Sequence, residues 1–214
     1  MSDAKSEILA RVASELRGAE RPPLPPLYRN QAIPHAERVE RFTSTLERVG
    51  GHVHRVSSLE RARDVAHALL HEAGVTRLLV SDAPEARALA AGLAGIELLV
   101  PSDARERLFT AGAGLSTAQW GIAETGTLVL ESAREQHRLA SLVVPVHLAL
   151  LRIELLLGTL GDALAAIRTP TGAPASRTIT FVTGPSRTAD IELELVVGVH
   201  GPKSLHVLLL EASA

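Results

Sequence analysis

From Pro34 to Val49 the apolar residues Val39, Phe42, Leu46 and Val49 recur every three or four positions and stop at Gly50-Gly51. That spacing predicts a helix with one buried face and a glycine stop. Residues 3–17 repeat the pattern with Ile8, Leu9, Val12 and Leu16 ahead of Gly18, which predicts a short amphipathic helix. Between the two, the four prolines of Arg21-Pro-Pro-Leu-Pro-Pro-Leu27 lack amide donors and fix φ, so the stretch reads as an extended, stiff spacer. Beyond Gly51 the period changes. His52-Val-His-Arg-Val56 alternates as a strand does, and Ser57 or Ser58 caps a helix carrying Leu59, Ala62, Val65, Ala66 and Leu69 as far as Gly74. Strand 77–80, helix 85–93 and strand 96–100 continue the alternation. Strands separated by helices predict βαβ units, hence an α/β fold with an open, mostly parallel sheet and flanking helices.

The rhythm shifts near residue 120. Trp120–Ala123 and Thr127–Leu130 flank Glu124-Thr-Gly126, a spacing that predicts an antiparallel hairpin inside or beside the parallel sheet. A strand over 142–151, a helix over 154–167, and strands over 178–183 and 205–210 follow. Residues 188–199 stay open between strand and helix, because Ile191, Leu193, Leu195 and Val197 alternate while Asp190, Glu192 and Glu194 suit a first helical turn. Thr169–Arg177, with two prolines and a glycine, reads as a mobile loop. The expected organisation is an N-terminal helix and Pro-rich linker over 1–33, then a single α/β domain over 34–214.

Composition narrows the chemistry. The chain has 214 residues and 46% hydrophobic content with only 2% aromatics, so its core is aliphatic and base-stacking platforms are disfavoured. A net charge of −2 with dispersed basic residues, of which only Lys5 and Lys203 are lysine, argues against nucleic acid. Without cysteine there are no disulfides, thiolate nucleophiles, thiolate zinc sites or cysteine-ligated clusters. The strongest apolar stretch, Leu139–Leu151, is interrupted by Ser141, Pro145 and His147, so no membrane span is expected and the cytoplasm is the default location.

Candidate chemistry gathers in two glycine-punctuated stretches. In Gly121-Ile-Ala-Glu-Thr-Gly-Thr127, Glu124 sits in a turn between apolar strands, suited to acid/base or nucleophilic work. Thr125, Gly126 and Thr127 beside it are candidate ligand-binding residues; the alternative is a turn carboxylate accepting bonds from the Thr125 and Thr127 amides or hydroxyls. In Thr183-Gly-Pro-Ser-Arg-Thr-Ala-Asp190, the backbone around Gly184 with Ser186, Arg187 and Thr188 suits a carboxylate or phosphate, and Asp190 would orient Arg187 or cap a turn. It is neither a Walker loop nor a dinucleotide fingerprint. Gly198-Val-His-Gly-Pro202 places His200 beside Gly201 in an exposed turn, for hydrogen bonding or proton transfer or for no chemistry at all. The pairs His52/His54 and His67/His71 have spacings that metals use, yet neither belongs to a recognisable zinc motif, and no metal or other cofactor is expected.

In order and spacing, Gly121–Leu130, Pro145-Val-His147, Thr183–Glu192, Gly198–Pro202 and Leu205-His-Val207 resemble the lactate utilisation protein C family, whose members carry the LUD domain. The resemblance covers about residues 34–212. It implies a NagB/RpiA/CoA-transferase-like α/β fold and a part in oxidising L-lactate to pyruvate with partner proteins that carry the iron–sulfur centres. Absence of cysteine agrees with that division. Two functions then stand. In one the chain is a non-redox or accessory subunit, binding a small carboxylate through Arg187 or docking on its partners. In the other it is a stand-alone enzyme resembling CoA transferases and isomerases of this fold, with Glu124 as nucleophile or base and the 183–188 loop on a phosphate.

Overall fold

In the computed structural model, which describes residues 2–18, 32–134, 138–168, 176–189 and 195–211, six parallel strands form the central sheet. They are β1 (His52–Val56), β2 (Arg77–Val80), β3 (Glu97–Leu99), β4 (Ala113–Thr117), β7 (Val146–Arg152) and β12 (Ser204–Leu210), in the order β1-β12-β7-β4-β2-β3. A sheet covered on both faces needs strands apolar on both sides, and β12 shows why Leu205-His-Val-Leu-Leu-Leu210 is almost continuously so. Leu205, Val207 and Leu209 pack with one core and Leu208 and Leu210 with another.

Helices α3 (Leu59–Glu72) and α4 (Pro84–Ala90) cover the face of Leu208, burying Ala62, Ala66, Leu70, Ala86 and Leu89. Ser58 starts α3 by accepting the Arg61 amide on its Oγ at 3.2 Å. The opposite face takes α2 (Arg38–Arg48), α5 (Arg105–Leu108), α6 (Leu139–Leu142) and a second sheet. That sheet has the order β8-β5-β6-β9, with β5 (Trp120–Ile122), β6 (Thr127–Glu131), β8 (Leu156–Leu157) and β9 (Ile179–Val182). The expected hairpin β5–β6 is antiparallel and lies beside the parallel sheet, in its own layer. On its far side α7 (Leu160–Ala166) packs Ala163 and, just beyond it, Ile167 against Ile122 and Val129.

Several boundaries differ from those read from the sequence. The stretch 142–151 splits into the end of α6 and β7, because Val143-Val-Pro145 cannot continue a helix through proline. The expected helix 154–167 becomes a 3-10 turn, β8 and a shorter α7, started by a capping box in which Thr159 and Asp162 exchange bonds at 3.2 and 2.9 Å. Thr159→Ala should lower stability by about 1 kcal/mol, read by urea unfolding; an unchanged midpoint would mean the box contributes nothing. Of the ambiguous stretch 188–199, the described parts join a two-stranded ribbon, β10 (Arg187–Ala189) with β11 (Leu195–Val197), and residues 190–194 lie outside the described residues. Strand β4 and helix α5 have no counterpart in the sequence reading. At the N-terminus α1 (Ser2–Glu15) forms with Ile8, Leu9, Val12 and Leu16 exposed. The Pro-rich segment and residues 169–175 lie outside the described residues.

Candidate functional site

The two glycine-punctuated stretches meet. β6 pairs with β9 so that Leu128 faces Val182, which brings Thr127 beside Thr183. Their hydroxyls lie 2.7 Å apart, and Thr127 Oγ1 is also 2.7 Å from Thr125 Oγ1. Gly126 has φ +65°, and a Cβ there would lie 2.6 Å from Leu46 Cα, so the turn is pressed against α2. Thr45 Oγ1 reinforces the contact by donating to the Ala123 carbonyl at 3.0 Å.

Glu124 is half-buried and faces α7. Its Oε2 accepts the Leu160 amide at 3.1 Å and its own amide donates to the Gly158 carbonyl at 3.0 Å. A carboxylate at this first turn complements the exposed helical amides. Arg187 donates through Nη2 to the Val49 carbonyl at the end of α2, where a cation answers the helix dipole. Gly184, with φ +79°, lets the same loop approach Val49. Ser186 ties the loop to the next turn, its amide donating to Pro202 at 2.9 Å and its carbonyl accepting from Gly198 at 2.8 Å. Gly201 abuts Ser186, Thr188 lies in β10, and Asp190 is outside the described residues. His200 is exposed on the wall of a cleft of about 340 Å³ at the amino ends of β7 and β12.

A second opening, about 330 Å³, lies at the other end of the sheet. After β2 the chain moves outward to β3, and after β4 it moves inward towards β7, so the carboxyl ends of β2 and β4 bound a topological switch point. Open parallel sheets bind ligands in such crevices. Thr117, Ala118 and Gln119 form the floor, with Leu150 and Leu155 beside them and Ala83 and Pro84 on the facing wall. Arg152 is fixed there by two carboxylates, Nη1 to Glu85 at 2.9 Å and Nε to Glu154 at 3.2 Å; neither bond uses Nη2. Those contacts raise its pKa, the bond to Glu154 most, so it is a permanent cation. Arg134, exposed, stands at the rim. None of these residues was singled out from the sequence. The signal available was positional, because each closes or follows an element at one end of the sheet.

Behind the floor runs a buried polar strip. Gln119 donates from Nε2 to Thr117 Oγ1 at 3.2 Å and accepts the Glu131 amide at 2.6 Å. The buried Glu131 carboxylate accepts from Ser176 Oγ at 3.1 Å and Trp120 Nε1 at 3.3 Å. Beside it, Ser116 and Ser141 border a cavity of about 10 Å³, room for about one water. Ser116 Oγ also meets His147 Nε2 at 2.8 Å, while His147 Nδ1 is buried with no partner among the described residues. Burial pushes the His147 pKa down to about 4.

The histidines weighed for metal fall differently. His67 and His71 are exposed on α3. His54 Nε2 lies 3.2 Å from His206 Nδ1 across the β1–β12 pair, and His52 stacks on His206 with ring centres 4.8 Å apart. Burial first, then neighbouring imidazoles, lower the pKa of His54, and of His206 to about 4. Among the described residues no group of three or more His, Asp, Glu or Cys could hold a metal ion, and no helix is long and apolar enough to cross a membrane.

Sheet order and strand-end crevice together define an open-sheet α/β protein with a second, mixed sheet as its own layer. The chain belongs to the LUD domain family, whose model matches residues 39–210. Over 210 residues it is 29% identical to lactate utilization protein C of Deinococcus radiodurans, covering 98% of this chain and 96% of that protein. It is 41% identical over 99 residues to an uncharacterized protein of Neisseria meningitidis, and 35% identical over 102 residues to lactate utilization protein C of Bacillus subtilis. Each of these two alignments spans 46% of this chain and 42% of the relative. A crystal structure of a DUF162 family protein from Deinococcus radiodurans shares the fold, with a TM-score of 0.63 at 22% identity over 83% of this chain and 99% of that one.

Proposed function

We propose that this chain serves lactate utilisation as a subunit without a redox centre of its own, and that the strand-end crevice takes the small 2-hydroxy- or 2-oxocarboxylate. The observation that carries the site is Arg152, held in one orientation by Glu85 and Glu154 beside Arg134 and above Thr117 and Gln119. A carboxylate suits the two guanidinium groups, a neighbouring hydroxyl or carbonyl suits the Thr117–Gln119 floor, and a methyl suits Ala118 and Leu150. The names of the full-length and partial relatives support the pathway. Arg187, with its guanidinium on Val49, is assigned to joining the 183–188 loop to α2.

With no cysteine in the sequence, electrons would pass through clusters on partner proteins rather than through thiolate-held centres here. In this reading substrate binding and electron transfer are divided between chains. The stand-alone enzyme reading gains less support, since Glu124 lines neither opening and bonds the start of α7. Titration calorimetry with L-lactate and pyruvate tests the site. Arg134→Ala and Arg152→Ala should each weaken binding about tenfold, the scale of one charge-assisted bond. Undiminished lactate binding in both variants would remove the crevice from the proposal. Stabilisation by coenzyme A or sugar phosphates, with none by lactate or pyruvate, would favour the enzyme reading instead.

A further inference from the structure

The cleft at the amino ends of β7 and β12 lies at the opposite end of the sheet from the crevice and differs from it in chemistry. Phe109, Leu142, Val144, Pro145 and Val199 give it an apolar stripe, set among polar backbone and basic groups where the crevice pairs arginines with a carboxylate. Phe109 and Val199 are 51% and 53% exposed, large apolar surfaces turned to solvent beside a concavity. Among the described residues, the charged or titratable groups lining it are His200 and Lys203, with no acid beside them. Among the described residues neither has an ion-pair partner. A further cation stands close by, since the Arg105 guanidinium sits 5.7 Å from the centre of the Phe109 ring.

The backbone is shaped to put those groups there. Gly198 has φ +81°, and a Cβ at that position would overlap the Lys203 stem, so the bare glycine is the bed on which the lysine lies. Lys203 is anchored by its amide to the Pro145 carbonyl at 2.7 Å, which joins the two walls. A Cβ on Gly201 would press on Ser186 at 3.0 Å, so that glycine lets the 183–188 loop close behind His200. Exposure alone would not require two such clearances.

We infer that this cleft is a second binding site, for a small monocarboxylate whose apolar body is larger than a methyl group, with the carboxylate on Lys203 and the body along Phe109, Val144 and Val199. About 340 Å³ falls within the range of small-molecule sites, and a basic side chain beside an apolar stripe matches one negative charge on an apolar body. A doubly charged phosphate would ask for more donors than the cleft presents. The site does not depend on lactate occupying the crevice.

Octanoate is the probe, octanol its uncharged counterpart, and hydrogen exchange the locator. Octanoate should raise the melting temperature of the wild type and protect the amides of 142–144, 198–201 and 203. Lys203→Met keeps the stem and removes the charge, and should weaken octanoate about tenfold; octanol should bind the wild type weaker than octanoate by a similar factor. Val199→Glu, at an exposed position, should abolish octanoate binding, while Arg134→Ala in the crevice should leave it unchanged. The inference is overturned if those amides gain no protection, if Lys203→Met binds octanoate as the wild type does, or if octanol matches octanoate. It is equally overturned if Arg134→Ala abolishes octanoate binding, whereas lactate failing to bind would leave octanoate's result standing.

Discussion

Replacing Gly126 by alanine is expected to cost about 4 kcal/mol of stability, from left-handed backbone strain and forced overpacking acting together. Both arise at one atom. The residue has φ +65°, and its missing Cβ would collide with the main chain of Thr45 and Leu46 in α2, which cannot swing away as a side chain end would. Gly74→Ala is the control, because Gly74 has φ +63° and none of the described residues within 4 Å of its absent Cβ, so it should lose only about 1 kcal/mol. Urea unfolding of both variants separates backbone strain from collision. Equal losses would mean that α2 and the 124–127 turn are not locked together as described, and the Thr125–Thr127–Thr183 hydroxyl chain would lose its reason to be in register.

Acid should destabilise the protein well before its carboxylates titrate. His147 is fully buried with its pKa lowered to about 4, against about 6.5 in an unfolded chain. The neutral ring is the folded form, so its contribution is complete above pH 6.5. It is lost as pH falls, because the unfolded chain takes a proton that the folded one refuses until about pH 4. Between pH 7.5 and 5 His147 alone accounts for roughly 2 kcal/mol, and the full interval for about 3. His206 and His54 shift in the same direction and steepen the slope, though their partial exposure makes each smaller. His147→Gln keeps a polar partner for Ser116 and removes the titration. Unfolding free energies at the two pH values should then differ less in the variant by about 2 kcal/mol. A slope unchanged by the substitution would place the acid sensitivity elsewhere.

Periodicity found the parallel strands β1, β2, β3 and β12, because each carries aliphatic side chains in runs or alternation bounded by turns. It missed β4, which occupies the fourth position in the sheet. Ala113-Gly-Leu-Ser-Thr117 is small and polar for reasons visible only in three dimensions. Gly114 lies against the Ala140 carbonyl of α6, where a Cβ would sit 2.7 Å from the carbonyl carbon, and Ser116 meets His147. Such a strand is buried on every side yet leaves no apolar signature. The 154–167 helix was over-extended because Leu155-Leu-Leu157 fits helix or strand alike; the Thr159–Asp162 pair marked the true start.

The motif stretches were legible as turns, and their meeting through Thr127 and Thr183 follows from pairing β6 with β9. What single residues do there was less legible, since Glu124 and Arg187 both face helix ends whose position no local pattern specifies. The crevice was invisible for a simpler reason. Its groups come from residues 83–85, 117–119, 134 and 150–155, and only the sheet order brings them to one place.

That order also governs synthesis. β12 enters between β1 and β7, so until residues 204–210 have left the ribosome β1 has no hydrogen-bonded neighbour in the central sheet. A nascent chain emerging in sequence order therefore carries an unpaired His52–Val56 edge while residues 57–203 are made, and the half of the sheet nearest that edge closes only once β12 arrives.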